Sequence, residues 1–200
     1  MINQNLLEKV VTRSAKVAAL FLGIDVTYSV RIINDPSFVQ DGLFGADGNE
    51  ICLNLARLEP YPQSSLPLQS DSPTEEEIKE NEDIRYALRA TYIVFHEMRH
   101  LYQKRAVEAY AINRMLGGGR TIRPLENDKK CALWEQELKE YKLGSAGDTD
   151  IEADAETFAT YLIHRYPVKI EMKQSSRRMG AMKRKYDRRE IPDLSDESEY

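Results

Sequence analysis

The spacing of apolar and polar residues divides the chain into helical and extended stretches. Leu6, Leu7, Val10, Val11, Ala15, Ala18 and Leu22 recur every three to four positions, which predicts an amphipathic helix ending near Gly23. Val26, Tyr28, Val30 and Ile32 alternate with polar residues, as a half-buried strand does, and Ile51, Leu53 and Leu55 repeat the pattern around Cys52 and Asn54. Asp47-Gly48 between them has the composition of a hairpin turn. The expectation is a small antiparallel sheet covered on one face by helices, an α+β arrangement.

Residues 60–73 are rich in Pro and Ser and read as a loop leading to a long helix, with Thr74 as its N-cap and Glu75, Glu76 and Glu77 in its first turn. From Ile84 to Met115 there is no Pro or Gly. Val94, Phe95, Met98 and Leu101 fall on one apolar stripe of this helix, and Gly117-Gly118-Gly119 ends it. No Lys-Ser/Thr follows the glycines, so they do not form a phosphate loop. Ala132, Leu133, Trp134, Leu138 and Tyr141 mark another amphipathic helix, with Trp134 as a core anchor. Ile151, Ala155, Phe158, Ala159 and Leu162 mark a last one.

The long helix carries the most specific chemistry. His96-Glu97-Met98-Arg99-His100 places two imidazoles four residues apart on a flank beside the apolar stripe, about 5–6 Å apart at Cβ. One metal ion can bridge such a pair. Glu97 then stands where it can handle a water on that metal, the H-E-x-x-H arrangement of zinc peptidases.

A catalytic zinc takes three protein ligands and keeps one position open. The chain has only three His, so the third ligand is His164 or a carboxylate. Glu152 and Glu156 border the stripe of the last helix about 40° apart, while Asp154 points roughly to the opposite side. Carboxylates at the edge of an apolar stripe cost desolvation energy unless they are paired or metal-bound. Glu152 is the best ligand candidate, with Glu156, one turn on, as partner for a ligand His. His164 lies about 18 Å farther along a continuous helix and cannot share that metal unless the helix breaks.

The two motifs, His96-Glu97-x-x-His100 and Glu152-Ala-Asp-Ala155-Glu156-x-Phe158-Ala159, resemble the gluzincin-like metallopeptidases of the ImmA/IrrE type, common in bacteria and their mobile elements. The likeness runs in organisation from Val26 to Ile163. It implies a zincin-like fold, Zn²⁺ held by His96, His100 and Glu152, Glu97 as catalytic base, and an intracellular protein or peptide substrate. It also implies an edge strand beside the zinc helix on which an extended peptide pairs, for which residues 50–55 are the candidate. Arg99 stands where many relatives carry Gly, and Glu156 also departs from the family pattern. Tyr102, Tyr141, Tyr161 and His164 are available to stabilise the oxyanion, and the sequence does not choose among them.

Composition narrows the setting. A chain of 200 residues can hold one core of useful size, here residues 1–166, with 167–200 as a tail. The net charge of −5 argues against a general nucleic-acid binder. The apolar run within residues 1–22, Val17 to Leu22, is too short for a signal-peptide core or a membrane span, so neither is expected. Cys52 and Cys131 are too few for a disulfide framework, which points to the cytoplasm. The tail crowds Lys173, Arg177, Arg178, Lys183, Arg184, Lys185, Arg188 and Arg189 before an acidic end. Such blocks form solvated tails or tethers to nucleic acid or an acidic partner. The rival to an endopeptidase is therefore a non-catalytic zinc-containing regulatory module, tethered through that tail.

Overall fold

The computed structural model describes residues 4–24, 29–38, 42–44, 50–62, 75–117, 122–142 and 149–165. Four helices and three strands follow in the order α1 (Gln4–Leu22), β1 (Ser29–Ile33), β2 (Gly42–Phe44), β3 (Glu50–Asn54), α2 (Glu75–Met115), α3 (Asp128–Lys142) and α4 (Asp150–Arg165). The architecture is α+β. No helix among the described residues is long and apolar enough to cross a membrane. The basic tail, the Asp47-Gly48 turn and the Thr74 cap lie outside the described residues.

Leu7, Val11, Ala15 and Ala18 bury the inner face of α1. The helix stops because Gly23 adopts φ 64°, and its amide donates to Leu20 O while that of Ile24 donates to Ala19 O. These two bonds make a Schellman cap, which needs a residue tolerant of positive φ.

The sheet differs from the all-antiparallel expectation. Its order is β1-β3-β2; β1 pairs parallel with β3, Ser29 opposite Glu50, and β2 pairs antiparallel with β3, Leu43 opposite Cys52. Residues 50–55 are therefore not the edge: β3 is central and ends at Asn54. The alternation of side chains tells which face of a strand is buried, not which neighbour it has or in which direction. A three-residue strand such as β2 carries too little alternation to be read. Buried Asn54 ties this end of the sheet together, donating from Nδ2 to the carbonyls of Asp35 and Phe38 and accepting the Asp35 amide at Oδ1.

The 41-residue α2 is about 60 Å long and forms the spine on which α1, α3, α4, β2 and β3 pack. Phe95, Met98, Leu101, Ile51, Leu53, Trp134, Phe158 and Leu162 meet in one core along it. Trp134, wholly buried, is the anchor its spacing predicted.

Candidate metal centre

α2 and α4 supply the converging side chains. His96 and His100 stand one turn apart on α2 with Nε2 atoms 3.0 Å from each other. Glu152 faces them from α4, Oε2 3.2 Å from His96 Nε2 and Oε1 3.4 Å from His100 Nε2. Among the described residues these three form the group able to hold a metal, with ligand atoms within 4.8 Å of one another. Their side chains keep 18–36% of their surface exposed, so the site opens to solvent.

The start of α4 is tied down where Glu152 leaves it. Glu137 of α3 accepts the Asp150 and Ile151 amides, and Thr149 Oγ1 accepts that of Glu152. Helix N-termini leave such amides without partners, and an acidic group there also interacts favourably with the positive end of the helix dipole. The carboxylate therefore comes from a fixed turn.

Electrostatics concentrate on the same atoms. Hydrogen bonds from His100 and then His96 hold the Glu152 carboxyl far below the usual carboxylate range, against the opposing effect of burial. Burial alone would depress His100, but Glu152, Glu97 and Gln103 outweigh it and raise its pKa.

Glu97, 9% exposed, projects to the side where β2 lies. A Cβ added at Gly42 would sit 3.5 Å from Glu97 Oε1 and would overlap Ile93 Cγ2. The absent side chain at Gly42 lets the edge strand β2 approach the helix at the turn carrying Glu97.

Glu156 is exposed, and His100 Nδ1 meets Gln103 Oε1 at 2.8 Å. Asp154 does not face solvent; its side chain is 17% exposed and accepts from Arg99, Gln103 and Lys130. Glu152 and Asp154 are about 200° apart on α4, yet both border the buried stripe of Ile151, Ala155 and Phe158. Glu156 turns a further 40° away from that stripe. The Arg99 cation also turns away from the metal flank. Its guanidinium grips Asp154 in two bonds of 2.7 and 3.0 Å and lies 4.7, 5.4 and 5.7 Å from the ring centres of Tyr102, Phe158 and Trp134.

Of the groups considered for an oxyanion, Tyr102 donates its hydroxyl to the Leu125 carbonyl, Tyr161 packs edge-on against Phe21, and His164 is exposed. The Tyr141 side chain lies outside the described residues. Tyr92, not singled out from the sequence, is half-buried one turn before His96. Burial raises its pKa, and Thr160 and Glu156 of α4 are its neighbours. Its position four residues ahead of His96 was the available signal. Cys52 and Cys131 are free thiols outside the triad, with Cys131 pushed up to about 11 by burial.

Comparison with known protein families, curated proteins and solved structures finds no match to this chain.

Proposed function

We propose that this chain is a zinc-dependent endopeptidase of the ImmA/IrrE type that hydrolyses peptide bonds of an intracellular protein. The observation that carries the reading is the convergence of His96 Nε2, His100 Nε2 and the Glu152 carboxylate next to a shielded Glu97. Two imidazoles and one carboxylate are the donor set of a three-ligand catalytic zinc, whereas structural sites are closed by four ligands, often Cys-rich. The chemistry of the donors therefore fits the metal.

His96, His100 and Glu152 would hold the ion. Bound zinc supplies Lewis-acid polarisation of the scissile carbonyl and lowers the pKa of water to about 7. The carboxylate of Glu97 takes the proton of the attacking water and later returns it to the leaving amine. β2, an edge strand against the Glu97 turn, replaces residues 50–55 as the strand on which an extended substrate pairs.

The test separates base from ligand. The chain should bind about one Zn²⁺, and Glu97→Gln should retain it while peptide hydrolysis falls by about 10² or more. His96→Ala, His100→Ala and Glu152→Gln should each lose zinc. Proteins that change size in cell extract with the wild type but not with Glu97→Gln are the substrates. A Glu97→Gln variant that loses zinc makes Glu97 a ligand and ends this mechanism. Zinc bound without any cleavage by the wild type favours the non-catalytic regulatory module instead.

A further inference from the structure

Gln103, completely buried, can present its amide in one orientation only. One end of that amide lies 2.9 Å from the Ile151 carbonyl oxygen and 2.7 Å from Asp154 Oδ2. Both of those groups accept hydrogen bonds and neither donates, so this end is the NH₂. The other end, Oε1, faces His100 Nδ1 at 2.8 Å. An amide oxygen cannot donate, so the ring proton of neutral His100 sits on Nδ1. Nε2, 3.4 Å from Glu152 Oε1, is then the nitrogen left for a metal that the two residues would share.

Asp154 decides this arrangement. With the Ile151 carbonyl alone, a flipped amide would lose one hydrogen bond; with a carboxylate also opposite, the flipped Oε1 would face an anion in a dry site. A flipped amide would direct its NH₂ at Nδ1 and drive the His100 proton to Nε2, where it blocks coordination. Asp154 is itself held by the two-pronged bond from Arg99 and by Lys130 Nζ at 3.0 Å. The cation within the metal motif therefore acts at a distance from the metal.

We propose that Asp154 is a positioning residue for the metal centre: anchored by Arg99 and Lys130, it orients Gln103, and Gln103 holds His100 in the Nδ1–H form that leaves Nε2 for the metal. The proposal rests on the metal-binding reading of the site and not on hydrolysis.

The experiment measures zinc affinity by competition with a chromophoric chelator and, separately, thermal stability with all metal removed. Asp154→Asn and Gln103→Met should each bind zinc about 10–100-fold more weakly than the wild type. The double variant should bind no more weakly than Gln103→Met alone, because both changes cut one chain of contacts. Arg114→Ala, which breaks an exposed ion pair to Glu135, controls for a general loosening of α2 and should leave affinity unchanged. NMR of the ¹⁵N-labelled, zinc-loaded wild type should find the His100 proton on Nδ1, a readout that stands even if a variant does not fold. Wild-type affinity in folded Asp154→Asn, additive losses in the double variant, or a His100 proton on Nε2 overturns the positioning role. A wild type that binds no zinc overturns the metal reading itself, and this inference with it.

Discussion

His100 carries two opposing demands. The acidic groups around it raise its pKa above the ordinary 6.5 despite burial, so in metal-free protein it keeps its proton to higher pH than in the unfolded chain. A group whose folded pKa is raised contributes stability that is present below its unfolded value and lost as pH rises through the folded one. The metal-free melting temperature should therefore fall as pH rises above the ordinary imidazole range. Zinc competes with that proton, so its affinity should climb over the same interval, and saturating zinc should remove the fall. Melting curves in chelator and in excess zinc check this. A metal-free profile that is flat in wild type and His100→Ala alike would show that the imidazole does not carry the effect.

Among the elements, the approach of β2 to α2 depends on one missing side chain. Ile93 is β-branched and stiff at χ1, so its Cγ2 cannot swing away cheaply from a Cβ at Gly42. Gly42→Ala should destabilise the protein by roughly 1–3 kcal/mol through overpacking. On the proposed mechanism, a shift of β2 beside Glu97 should lower hydrolysis more than zinc affinity. Adding Ile93→Ala should recover part of the stability. If Gly42→Ala leaves both stability and turnover at wild-type values, the close approach of β2 plays no part in the site.

Over the whole molecule, the centre joins two helices that are distant in sequence. α2 packs on α1, α3, α4 and the sheet, and α4 packs on α2 and α3. Zinc binding the folded form stabilises it by about 2.7 kcal/mol at a free concentration 100 times its dissociation constant. The effect should concentrate where the ligands bridge. Chelation should speed amide exchange in the first turns of α4 and leave the α1–α2 core protected. Uniform acceleration throughout would mean that the fold opens only as one unit and that the centre does not clamp α4 locally.

The sequence alone determined the helices and the three side chains that meet. Helical periodicity is local, so Val11, Met98 and Phe158 declared their buried faces, and His96 and His100 had to share a flank wherever the helix packed. The scarcity of His left a carboxylate as the partner, and Glu152 lies beside both imidazoles. The tertiary structure decided the rest. Strand direction and order depend on distant pairing, so alternation could not place β3 between β1 and β2. The helical angle between Glu152 and Asp154 was readable, but not that α4 lodges against both α2 and α3, with polar partners on each side of its stripe. Gln103, Arg99 and Lys130 meet at Asp154 only through that packing. The i,i+4 rule reaches one turn of a single helix, and burial on two helices at once is a property of the assembled core.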